Sequence, residues 1–103
     1  MKKGYKCIMA IINEGFSDLA METAKACGAT GGTILEARGT ASKDAEKFFN
    51  VSIQPEKEIV MILAKNDVVD AIMKGLYSVV GTLTEAQGIV FTLPVDDVVG
   101  LKA

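Results

Sequence analysis

Histidine and tryptophan are missing from this chain of 103 residues, arginine occurs once, and proline and cysteine occur twice each. Without histidine the commonest general base is gone, and with it the usual partner of a serine or cysteine nucleophile, so a catalytic triad is excluded. Cys7 and Cys27 have no C-x-x-C spacing and no imidazole to complete a ligand set, so no metal site is expected. Each lies in an apolar stretch, Cys7 in a strand-like run and Cys27 at a helix end, as small core residues do in a reducing compartment. Carboxylates do not cluster beyond Asp96-Asp97, which follows Pro94 and reads as the cap of a final turn. The sequence is therefore expected not to be an enzyme, with no catalytic residues.

Charge of one sign is also scarce. Eleven basic residues against thirteen acidic ones leave a formal charge of −2, which gives no electrostatic case for nucleic acid or an anionic membrane. Long apolar runs are absent too: Met1-Lys2-Lys3-Gly4 leads into an apolar stretch of strand length, too short for a signal-peptide core or for membrane insertion, and a cytoplasmic location is expected. Half of the residues are nevertheless hydrophobic. Residues 1–103 are read as a single domain, able to bury about 60 to 65 % of its unfolded surface on its own.

The apolar residues are patterned. Tyr5 to Ile12 reads as a strand, followed by a helix from Ser17, its proposed N-cap, to about Cys27, with Phe16, Leu19, Ala20, Ala24 and Cys27 on one face. Thr33 to Arg38 is a second strand. A polar stretch follows, then Val51 and Ile53 alternate before Pro55, and Glu58 to Ala64 forms a third strand. Asn66 or Asp67 caps a second helix from Val68 to about Val80, stopped by Gly81, and Gly88 to Leu93 is a fourth strand before Pro94. The order βαββαβ predicts an α+β, ferredoxin-like fold: a four-stranded antiparallel sheet with two helices on one face.

The strands do not alternate apolar with polar. Cys7, Met9 and Ile11 oppose Ile8, Ala10 and Ile12, and Ile59, Met61 and Leu63 oppose Val60, Ile62 and Ala64, so both sheet faces are apolar. Two helices shield one face, and the other is covered either by another copy of the chain or, in part, by the loop. A homo-oligomer with sheets meeting through that face is expected.

Glycine supplies the most informative local signal, the run Gly28-Ala29-Thr30-Gly31-Gly32-Thr33. Gly28 suits a left-handed helix C-cap. The Gly31-Gly32 pair fits either a tight turn or a turn facing a ligand, and glycine alone does not separate the two. The run is neither a P-loop nor a dinucleotide fingerprint, since no Lys-Ser or Lys-Thr follows and the glycines precede a strand. Arg38, the one guanidinium, is either an anion contact or a solvated strand-end charge. Phe48-Phe49, two aromatics in a polar stretch, are either a partner-binding anchor or the start of a strand extending the hairpin.

Taken together, the order of elements, the Gly28–Thr33 turn, Gly39 opening a long loop, Val51-x-Ile53-x-Pro55, and Gly88-Ile89-Val90-Phe91 leading into Pro94-Val95-Asp96-Asp97 resemble the PII family of signal-transduction proteins, the nitrogen regulatory proteins, over nearly the whole chain. The resemblance implies a homotrimer whose inter-subunit clefts bind adenine nucleotides, with ATP, ADP or AMP as effector rather than as a required cofactor. It also implies a T-loop, about residues 39–57, that reports the ligand to a regulated protein partner. Carried over by position, it puts Gly31, Gly32 and Thr33 beside the adenine, Arg38 and Gly39 at the T-loop root near the phosphates, and Gly88 in the neighbouring subunit's nucleotide-binding loop.

Departures from the family pattern fall where phosphate is gripped. Ile89 stands where the family carries a lysine, and Gly100 and Lys102 stand where two arginines are typical. Each lost charge-assisted hydrogen bond is worth about 1.5 to 3 kcal/mol, so AMP, ADP or no nucleotide at all stay open beside ATP. The T-loop is shorter than usual, with Phe49 in place of a modifiable tyrosine, and Thr40-Ala41-Ser42-Lys43-Asp44 replaces the run that helps bind 2-oxoglutarate. The alternative is another oligomeric ferredoxin-like ligand-binding module without nucleotide binding. Such a module would be an amino-acid-binding regulatory domain, usually fused to an enzyme, or a copper-tolerance type, whose metal-binding side chains are missing here.

Overall fold

The computed structural model describes residues 1–40 and 55–101 of the chain. Six elements follow in order: β1 (Tyr5–Asn13), α1 (Ser17–Ala26), β2 (Thr33–Arg38), β3 (Glu56–Lys65), α2 (Asn66–Val80) and β4 (Ile89–Pro94). The strands form one sheet in the order β2-β3-β1-β4, every neighbouring pair being antiparallel. This is the ferredoxin-like arrangement that the βαββαβ order predicts.

Strand register assigns each side chain to a face. Ile8 lies opposite Ile62, and Ala10 opposite Val60; these residues, with Ile12, are completely buried. Against them pack Ala20 and Ala24 of α1 and Val69, Ile72, Leu76 and Val80 of α2, and Ala86 joins them from the loop before β4. The helices approach closely at Gly75, where a Cβ would stand 2.7 Å from Cys27 Sγ. A bulkier residue there would separate α1 from α2.

Among the described residues the other face has no such cover. Met9 lies opposite Met61 and Phe91, and Ile11 opposite Ile59 and Ile89, while Leu35 continues the row from β2. Ile89 is 61 % exposed, Leu93 46 % and Leu35 41 %.

Several local expectations need correcting. Ser17 is not a side-chain cap: Phe16 holds the N-cap position, and no side chain caps the helix from there. The Ser17 hydroxyl instead donates to Glu58 Oε2 at 3.1 Å, and Gly15 N–H donates to Glu58 Oε1 at 2.9 Å. A carboxylate from β3 thus binds the turn that opens α1, the role expected of a local cap. Neither Asn66 nor Asp67 caps α2, which begins at Asn66 with Lys65 as N-cap; Asn66 N–H donates to the Gly4 carbonyl at 2.9 Å. Leu19 is 41 % exposed rather than part of the buried face of α1. Asp96-Asp97 caps no turn: Asp97 pairs with Lys3 at 2.7 Å, beside an antiparallel bridge between Lys2 and Val98. The Val51 and Ile53 alternation lies outside the described residues.

Candidate functional site at the two ends of the sheet

At one end of the sheet, the Gly28–Thr33 turn joins α1 to β2. Gly28 has φ +116°, Ala29 N–H reaches back to the Ala24 carbonyl at 2.9 Å, and Gly28 N–H to that of Lys25 at 3.1 Å. This is a Schellman C-cap, for which a left-handed glycine is the natural residue.

The two following glycines differ. A Cβ on Gly32 would stand 2.8 Å from the Met61 carbonyl oxygen and 2.7 Å from Met21 Cε, whereas one on Gly31 would meet nothing within 4 Å. Gly32 is therefore fixed by packing against β3, while Gly31 faces open space. Thr33 is exposed at the start of β2, on the uncovered face with Met61. Beside the turn lies a pocket of about 210 Å³ lined by Tyr5, Gly28, Ala29, Thr30, Leu63, Val68 and Leu101 among others. Of this turn it takes in Gly28, Ala29 and Thr30, and not Gly31, Gly32 or Thr33.

The opposite end of the sheet holds Arg38, Gly39 and Gly88. Five residues of strand at about 3.3 Å each put Arg38 roughly 17 Å from Thr33. Arg38 is exposed and faces the helix side, in register with Glu56. Gly39 N–H donates to the Pro55 carbonyl at 2.7 Å, joining the two ends of the segment between β2 and β3. Gly88 is buried, with its N–H donated to the Val80 carbonyl at 2.8 Å and its own carbonyl accepting from the Thr82 hydroxyl at 2.9 Å. A Cβ there would run into Val80 and Ile12. The N–H groups of both Gly39 and Gly88 are thus used inside the fold.

Between them runs a polar row that sequence reasoning missed. Lys57 Nζ donates to Asn13 Oδ1 at 2.6 Å, and Asn13 Nδ2 donates to the Glu85 carbonyl at 3.0 Å and towards Gln87 Oε1 at 3.4 Å. Asn13 N–H also donates to the Ala86 carbonyl at 2.9 Å. Gln87 itself has φ +48°, and its backbone turns the loop back towards β4. Asn13 is 4 % exposed, and the network supplies every polar group of its side chain with a partner. The signal was present in the strand pattern: Lys57 continues the row Ile59, Met61, Leu63, and Asn13 continues Cys7, Met9, Ile11.

The chain brings Gly31, Gly32 and Thr33 together at one end, and Arg38, Gly39 and Gly88 at the other, with Arg38 on the edge strand β2 and Gly88 just before the opposite edge strand β4. It does not gather all of them around one point. Phe48 and Phe49 lie outside the described residues, as do most of residues 39–57 and Lys102. Among the described residues no group of three Cys, Asp or Glu side chains is placed to hold a metal ion, and no helix is long and apolar enough to cross a membrane. Burial pushes the Cys7 thiol above its ordinary pKa, away from the thiolate form that nucleophilic chemistry requires.

Comparison with known proteins places this geometry. The family model described as nitrogen regulatory protein P-II matches residues 5–103. No curated protein sequence matches the chain. Among solved structures, Arabidopsis thaliana PII bound to citrate superposes with a TM-score of 0.70 at 20 % identity, covering 95 % of this chain and 81 % of its own. CPII, a nitrogen regulatory PII-like protein from Thiomonas intermedia K12 bound to ADP, AMP and bicarbonate, superposes with a TM-score of 0.69 at 14 % identity, over 94 % of this chain and 96 % of its own. The GlnK–ATP complex of B. subtilis gives 0.67 at 15 % identity, over 90 % and 84 %.

Proposed function

The chain belongs to the nitrogen regulatory protein P-II family, and from that premise we propose that it is a non-enzymatic, PII-like regulator that binds an adenine nucleotide in clefts between the subunits of a homotrimer. It signals to a protein partner through the segment 39–57.

The uncovered apolar sheet face is the observation that carries this reading. Met9, Met61 and Phe91 lie side by side across three strands, and Ile89 at their margin is 61 % exposed. A contiguous apolar surface of this kind marks an interaction site, and copies of the same chain are the partner always at hand. The division of the candidate residues between two ends of the sheet supports a shared cleft. A pocket using Gly31 and Thr33 as well as Gly39 draws them from different copies, one contributing the turn and another the loop root. The ATP, ADP and AMP bound to the related solved structures point to the same ligand class. The open surroundings of Gly31 leave its backbone accessible to a base, and Arg38 offers a guanidinium to a phosphate.

Light scattering and calorimetry on one sample test this reading. A mass of three chains that takes up ATP, ADP or AMP saturably at about one per subunit is the expected result. A well-folded monomer, or a trimer that binds none of the three, would overturn it and leave a ferredoxin-like binding module without nucleotide.

A further inference from the structure

Charge is segregated at the end of the sheet where β2 meets β3. By strand register, Glu36, Glu56, Glu58 and Arg38 share the helix side, and Lys57 stands on the uncovered side. Lys57 is already half-buried. Its stem lies against Gly39, where a Cβ would be 2.9 Å from Lys57 Cε. Its ammonium donates to the neutral Asn13 amide oxygen at 2.6 Å, and among the described residues the only ion pair is the distant Lys3–Asp97.

Covering this face with another copy takes that ammonium further out of water. A buried cation with only an amide for a partner is costly, and an anion placed beside it offsets the cost. Only one of its three N–H donors is used on Asn13. The backbone donors of Gly39 and Gly88, which flank it, are already committed within the fold. Among the described residues on the uncovered side of this end, Lys57 is the side-chain cation left to hold an anion.

We propose that Lys57, held by Asn13 and laid against Gly39, is the cation that contacts a phosphate group of the nucleotide in the subunit cleft, where position 89 offers only isoleucine. This rests on the nucleotide-binding reading above. Asn13 then serves as a positioning residue, tying the ammonium to the Glu85–Gln87 loop on one side while Gly39 leads into the segment 39–57 on the other.

Calorimetric titration of the assembled wild type, Lys57→Met and Lys57→Arg with ADP and with adenosine tests this. Wild type is expected to prefer ADP to adenosine. Lys57→Met should bind ADP about 10- to 100-fold more weakly, the loss of one charge-assisted hydrogen bond, with adenosine affinity unchanged, and Lys57→Arg should stay within a few-fold of wild type. Should Lys57→Met fail to assemble, Lys57→Gln, which retains a donor for Asn13 Oδ1, takes its place with the same expectation. Unchanged ADP affinity in the neutral variant overturns the assignment to Lys57 and leaves the nucleotide reading standing. Equal losses for ADP and adenosine also overturn it, marking a packing role. A wild type that binds neither compound overturns both.

Discussion

The two faces of this sheet have nearly the same composition and opposite fates. On one, Ile8, Ala10, Ile12, Val60 and Ile62 are sealed beneath the helices with no exposure at all. On the other, Met9, Ile11, Ile59, Met61 and Phe91 have similar hydrophobicity, lie side by side in register and stay half-exposed. Apolarity alone therefore does not define the core of a single chain. The core is the apolar face over which α1 and α2 fold, because the short β1–α1 and β3–α2 connections return both helices to the same side. The face left over is the one through which we propose that copies of the chain assemble.

Substitutions across this divide should differ in kind. Ile62→Ala, on the covered face, is expected to lower stability by about 2 to 5 kcal/mol in denaturant unfolding, the cost of a cavity in a packed core. Met61→Lys, one residue away on the uncovered face, should instead reduce the mass seen by light scattering to that of one chain with the far-UV spectrum retained. An assembled Met61→Lys protein of wild-type mass would remove the distinction between the faces.

A second comparison lies within the glycine pair. Gly32→Ala forces a methyl against the Met61 carbonyl and Met21 and is expected to cost about 1 to 3 kcal/mol. Gly31→Ala, with open space around it, should stay within about 0.5 kcal/mol and register in nucleotide titration instead. Equal thermal shifts in the two variants would erase the contrast.

Glu58 and Glu36 face each other across β3 and β2, yet only Glu58 accepts hydrogen bonds from Gly15 and Ser17. Glu58→Ala is expected to lose about 1 to 2 kcal/mol, comparable to removal of a helix cap, and Glu36→Ala close to nothing. Unfolding curves of the two variants decide between this and a purely solvated role for both.

The smallest effect concerns Cys7. Burial raises its thiol above the ordinary value of 9.0, so the folded chain keeps this proton to higher pH than the unfolded chain does. Its contribution is fully present below the unfolded value and is lost as pH rises from there through the folded value. Cys7→Ala should flatten the fall in the urea midpoint above about pH 9. A decline of the same slope in both proteins would assign it to other groups.

Much of this was legible beforehand. The β2 boundaries, the stop at Gly81 and the two-faced apolar strands follow from periodicity and glycine placement, which act over a few residues. Side-chain partners across the sheet were not. Ser17 has the chemistry of an N-cap, and nothing local reveals that a carboxylate from β3 reaches it. Asn66 and Asp67 likewise suit a cap, but the backbone of α2 is already helical at Asn66. Lys57 and Asn13 are separated by the whole of α1 and β2 in sequence, and their contact emerges only when β3 is laid beside β1.

What the sequence determined by itself is the set of elements, their order and the excess of apolar surface, because propensity, period and turn chemistry are properties of neighbouring residues. The tertiary structure decided which of two equivalent glycines is packed and which is open, which carboxylate holds the start of α1, and which lysine stands at the loop root. Those depend on distances between elements remote in the chain, set by strand register and by where the helices pack on the sheet.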